Sequence, residues 1–186
     1  MRSRGYFPVI AQVELLEPRE LLSTTYFGHG GATPFASSAP SGLTPAQILH
    51  AYGIDQVSFN GGAIKGDGTG QTIAIIDLWD APNIAADLAT YDTTFGIAAP
   101  PSFTKVASDG STNYPPTDPM GKGNSWALET SLDVEWARAI APGAGILLVV
   151  AGNVFSLASA AQNAATHGAT VVSMSYSDAT STGCIR

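Results

Sequence analysis

Short apolar runs alternating with helix-like stretches constrain this chain more than any other feature. Thr72 to Ile76 (Thr-Ile-Ala-Ile-Ile) and Ile146 to Val150 (Ile-Leu-Leu-Val-Val) are unbroken by polar alternation, which suits strands buried on both faces. Phe103 to Val106 and Thr170 to Met174 (Thr-Val-Val-Ser-Met) complete a set of four strands. Between them, Asp80-Ala81-Pro82-Asn83 opens a helix on which Ile84, Leu88, Tyr91 and Phe95 share a face before Gly96, and Ser156 to His167 is an alanine-rich helix closed by Gly168. The Asp109-Gly110 turn and a Pro- and Gly-rich loop from Tyr114 to Gly123 lead into a third helix. Strands alternating with helices imply right-handed crossovers and an α/β fold, an open and mostly parallel sheet with helices on both faces. Ligands on such sheets collect at the carboxyl ends of the strands. Asp77 and Asp80 fall just past the first strand, and Ser175 and Tyr176 just past the fourth. By position alone, Asp77 reads as a cap or turn residue.

The third helix carries two carboxylates four residues apart, Glu129 and Asp133, in Glu-Thr-Ser-Leu-Asp-Val-Glu-Trp-Ala. That spacing puts both on one face, one turn apart, where like charges repel by a few tenths of a kcal/mol. If both face inward, the repulsion is relieved by a shared proton or a counter-charge, and a shared proton makes a general base; on spacing alone a solvated acidic face is the commoner outcome. Asn124 or Ser125 can cap the helix, and Pro142-Gly143 ends it. Leu128, Leu132, Trp136 and Ile140 recur every four residues as its expected core stripe, with Glu129 and Asp133 at the border of that stripe. Glu135 is expected to form a surface ion pair with Arg138.

Composition narrows the rest. With 45% hydrophobic and 12% charged residues, the chain has the make-up of a folded domain with a sizeable core. A net charge of -7 argues against nucleic acid or anionic membrane surfaces as partners. A single cysteine, Cys184, forms no internal disulfide, the scattered His29, His50 and His167 make no zinc-type cluster, and no apolar run approaches the roughly 20 residues needed to span a bilayer. Residues 24 to 41, rich in Gly, Ser, Thr, Pro and Ala, read as a flexible linker. Gly66-Asp67-Gly68-Thr69-Gly70 looks like a phosphate loop but precedes its strand, whereas a phosphate-cradling loop follows the strand and opens a helix; a turn into the strand is expected.

Two resemblances follow from these residues. Leu15-Leu16-Glu17-Pro18-Arg19-Glu20-Leu21-Leu22 resembles the LEPR-x-LL segment near the start of many predicted exported proteins of planctomycete bacteria, so residues 1 to 23 are expected to be an export-type segment; the competing reading is an amphipathic start to the domain. Gly66 to Asp77, the helix Glu129-x-x-Leu132-Asp133-x-Glu135-x-Ala137-x-Ala139-x-Ala141-Pro142-Gly143-Ala144, the strand Val171 to Tyr176, and Leu43 to Ile48 with Ala51-Tyr52-Gly53 together resemble the sedolisins, serine-carboxyl peptidases with a subtilisin-like fold. The likeness covers residues 42 to 176, within a domain expected over 42 to 177. It implies that Glu129 is the general base, Asp133 its hydrogen-bonded partner, Asp77 an extension of the carboxyl network where many members have Glu, and Tyr176 a neighbour of that network where members usually have Trp.

The resemblance implies an acid-favouring endopeptidase acting on proteins or peptides, secreted or in the cell envelope. A serine hydroxyl needs a base, and a carboxylate keeps some basic form at pH values where histidine is protonated. The family's oxyanion-site Asp, nucleophilic Ser and calcium site are expected beyond Arg186, so this chain is expected to be the front half of the fold and inactive alone, with residues 178 to 186 an atypical tail and no long pro-domain in front. Two other readings remain: a non-catalytic exported surface or binding module, and a histidine-based subtilisin using Asp77. The latter is weakened because no histidine lies between residues 51 and 166.

Overall fold

In a computed structural model the described residues are 42–119 and 126–175, and the export-type segment, the linker, Asn124, Ser125, Tyr176 and the tail lie outside them. Four strands form one sheet: β3 (Thr72–Leu78), β4 (Phe103–Ala107), β5 (Gly145–Ala151) and β6 (Val171–Ser173), in the order β4-β5-β3-β6. A separate short antiparallel hairpin, β1 (Ser58–Phe59) with β2 (Ile64–Lys65), precedes them. Every pairing in the larger sheet is parallel, in registers such as Ile75↔Leu148, Val106↔Val149 and Ile75↔Ser173. Parallel neighbours need crossovers, supplied by α2 (Ile84–Phe95), α3 (Trp126–Ile140) and α4 (Leu157–Thr166). A first helix, α1 (Pro45–Ala51), starts at a capping box in which Thr44 and Gln47 satisfy each other's backbone N–H.

Side-chain alternation along the strands divides the core into two layers. Ile75, Ile146, Leu148 and Val150 meet Ile84 and Leu88 of α2 and Val134 of α3 on one face. Ala74, Ile76, Leu147, Val149 and Ala151 meet Leu157, Ala160 and Ala164 of α4 on the other. Alanine in α4 leaves nothing but a methyl between helix backbone and sheet, which brings the two close. The sheet is thus α/β and subtilisin-like in layout, with helices on both faces. Gly96 ends α2 in the left-handed conformation at φ 67°, as its residue type foretells.

The glycine-rich run is a turn into β3, and its reason is packing. A Cβ on Gly68, at φ 82°, would lie 2.9 Å from the Ala141 Cβ; one on Gly143 would lie 2.5 Å from Thr69 Oγ1. The Gly143 N–H donates to the Asp67 carbonyl at 2.7 Å. The turn before β3 and the Ala-Pro-Gly-Ala end of α3 therefore interlock.

Three expectations are corrected. The core stripe of α3 is not Leu128, Leu132, Trp136 and Ile140: Leu128 and Leu132 are 63% and 48% exposed, and Thr130, Val134, Arg138 and Ala139 are buried instead. A reading by hydrophobicity ranks leucine above threonine and arginine, but Thr130 bonds its own helix at the Trp126 carbonyl (2.8 Å), and the Arg138 guanidinium donates to the Pro142 and Ala98 carbonyls. Polar groups so satisfied can occupy a seam. Arg138 consequently does not pair with Glu135; its Nε lies 3.6 Å from Asp92 Oδ2 on α2. Finally, β3 runs on to Leu78, so Asp77 is inside the strand opposite Val150 rather than past its end.

Candidate active site

Strand alternation decides where Asp77 points. Sharing the parity of Ile75, it lies on the face covered by α3, and it is 1% exposed. The Thr130 side chain beside it favours the anion, but the single hydroxyl hydrogen goes to the Trp126 carbonyl, and both Asp77 carboxyl oxygens are buried without a well-directed hydrogen bond among the described residues. Burial first, and the Asp133 charge second, push this carboxyl up to about 7. Asp77 is accordingly a neutral acid through the acidic range.

Glu129 and Asp133 come to the same place from α3. The Trp126 N–H at the head of the described part of α3 donates to Asp118 Oδ2 at 3.1 Å; the expected caps, Asn124 and Ser125, lie outside the described residues. Glu129 in the first turn is where the helix dipole favours an acid. Both side chains are half-buried, and both carboxyls are raised: Glu129 by burial and then by Asp133, Asp133 by burial, opposed by a hydrogen bond from the Ser175 hydroxyl. The charges of Glu129 and Asp133 both act on Asp77. Three carboxyls from β3 and α3 therefore form one electrostatically linked group, in which full ionisation is disfavoured and protons are shared.

The sequence grouped Asp77 with Asp80, and the structure separates them. Asp80 is neutralised by Lys105 at 2.8 Å, and the Lys105 ammonium sits 4.4 Å from the Tyr114 ring centroid, whose hydroxyl donates to the Lys105 carbonyl at 3.0 Å. This clasp fixes the rim next to Trp79, which holds a left-handed φ of 64° while its N–H donates to the Ala151 carbonyl at 2.8 Å. The two described histidines are engaged elsewhere, His50 with Asp55 at 2.9 Å and His167 with the Asn163 carbonyl at 2.9 Å. Thr130 was not among the residues expected at the site, and no sequence signal marks it. Tyr176 lies outside the described residues.

Such a group can take up and release a proton across acid pH in a place partly shielded from water. Comparison with known proteins agrees with the family suggested by the motifs. No family model matches the chain. It is 36% identical to kumamolisin of Bacillus sp. (strain MN-32) over 144 residues, 75% of this chain, and it spans 24% of that relative's length. The shared sequence and the parallel sheet crossed by a carboxylate-bearing helix place the chain in the sedolisin family.

Proposed function

We propose that this chain contributes the general-base half of a serine-carboxyl endopeptidase site that hydrolyses proteins or peptides in acid. The observation that carries the reading is the convergence of Glu129, Asp133 and Asp77, each raised by burial. Glu129 takes the proton of the attacking serine; Asp133, one turn on, orients it and stabilises the protonated form; Asp77 holds a proton below about 7 and so adds no third charge. Tyr176 would offer a phenol to this network in place of the family's usual Trp. The nucleophilic serine and oxyanion-site Asp map to no segment among residues 1–186, so the chain alone is read as inactive and the activity as belonging to a longer protein. The calcium ion that the family implies is assigned to that same remainder. No helix among the described residues is long and apolar enough to cross a membrane, and the LEPR-type segment supports export to the envelope or medium.

Casein hydrolysis by the full-length protein across acid pH tests the assignment. Glu129→Gln and Asp133→Asn should each lower kcat by roughly 10²- to 10⁴-fold, the range of general-base contributions. Undiminished hydrolysis in both variants would refute these roles. If the wild type hydrolyses nothing, the non-catalytic surface or binding module becomes the better reading.

A further inference from the structure

Resting on the reading of Glu129, Asp133 and Asp77 as a peptidase site, we infer that Trp79 is a specificity-determining residue. Its indole is a fixed aromatic wall at the rim of that site and selects substrates with a large apolar side chain beside the bond to be cut. The backbone at Trp79 is strained. Among the described residues, Asn60 and Trp79 are the non-glycine residues with positive φ. Asparagine visits the left-handed region readily, whereas a bulky residue does so only at a cost. Such strain persists where the surroundings impose it, and it gathers at functional sites. Here the Trp79 N–H donates to the Ala151 carbonyl at 2.8 Å and the Asp80 N–H to the Pro116 carbonyl at 3.0 Å. Lys105 grips the Asp80 carboxylate and donates to the Ala81 carbonyl at 3.3 Å, so the chain is pinned on both sides of the indole.

The strained turn changes the face on which the side chain lies. Continued alternation would put Trp79 with Ile75 and Asp77 beneath α3, but it packs instead against the layer that α4 covers. The indole is thereby cleared from the face of Asp77 and left at the rim, two residues from that carboxyl. Trp126 packs against the same layer, three residues before Glu129, and its N–H is held by Asp118, in the loop whose Pro116 holds Asp80. β3 and β5 end level at Leu78↔Ala151. The turn after β5, in which Asn153 Oδ1 accepts from the Phe155 and Ser156 N–H groups, presents Phe155 92% exposed. One loop and two strand ends therefore set aromatic side chains about the carboxyls, at the strand ends where ligands of parallel sheets collect. A few polar groups among apolar and aromatic walls are what a substrate cleft requires.

The test measures kcat/KM of the full-length protein for peptides that differ in one side chain, Phe, Leu or Ala, placed on either side of the cleaved bond in turn. Wild type should favour Phe and Leu over Ala at one of these positions. Trp79→Gly, whose residue type suits the left-handed backbone, should cut the Phe-to-Ala ratio there by about 10- to 100-fold, the scale of discrimination by apolar contacts. Trp79→Phe should keep most of it. A wild type with no preference for Phe, or a ratio unchanged in Trp79→Gly, overturns the inference. So does an equal loss on all peptides with a lowered thermal midpoint, which would make the indole core packing alone. Parallel Glu129→Gln separates the two failures. Full activity there sinks the base assignment while a collapsed ratio in Trp79→Gly still upholds the wall; inactivity there with an unchanged ratio sinks the wall alone. If wild type cleaves none of the peptides, the ratio is read from their binding by calorimetry, and equal binding of the Phe and Ala peptides overturns the inference.

Discussion

Asp77 and Arg138 are the two residues whose burial most shapes the molecule's chemistry. Arg138 is 0% exposed and ties Asp92 of α2, the Ala98 carbonyl and the Pro142 carbonyl to α3. Replacing it with methionine strands Asp92 as an unpaired buried acid, whose carboxyl burial already raises. Urea unfolding should show a loss of about 3–5 kcal/mol for Arg138→Met, and less for Arg138→Met combined with Asp92→Asn. At Asp77, Asn keeps the shape and removes the charge. Asp77→Asn should stabilise the fold at neutral pH, with little effect below about 4, where the acid is protonated in the unfolded chain as well as in the fold. In the sequence the placing of Glu129 and Asp133 one turn apart on one helix was legible, because that spacing is readable, whereas Asp77 was read past the end of a strand that in fact contains it. Thr130 and Arg138 were not legible: nothing local distinguishes a threonine bonded to its own helix, or an arginine whose partners lie on α2 and in two loops, from solvated residues.

Among the elements, strands were more legible than helix faces. β3, β5 and α2 fall close to where their apolar runs and Gly96 put them, because burial on both faces or a left-handed cap leaves a mark in composition. α3 resisted because two candidate stripes, 128-132-136 and 130-134-138, share the same spacing, and the choice between them depends on tertiary partners. The interlock between the turn at Gly68 and the Ala141–Ala144 segment makes a prediction at this scale. Gly68→Ala combines a φ of 82° with a Cβ contact of 2.9 Å and should cost on the order of 1–3 kcal/mol, read as a lowered thermal midpoint. Gly96→Ala shares the positive φ but meets nothing within 4 Å, so its loss should be smaller.

The whole molecule carries an imbalance of charge that pH can expose. Besides the site carboxyls, Glu135 on α3 is pushed up to about 7 by burial and by Asp87 and Asp92 on α2. A raised acid binds a proton in the fold that the unfolded chain has released, so between about 4 and 7 stability falls as pH rises. The fold should therefore be most stable in acid and lose a few kcal/mol toward neutrality, and Glu135→Gln should flatten that slope in urea titrations at pH 4 and 7. The same balance frames the central claim, that the base is a carboxylate. It is tested most directly by the pH dependence of kcat/KM for peptide hydrolysis by the full-length protein. The account predicts activity that persists below pH about 5, where a histidine base of pKa about 6.5 would be protonated. An acid limb centred near 6.5, with no activity below it, would contradict the account.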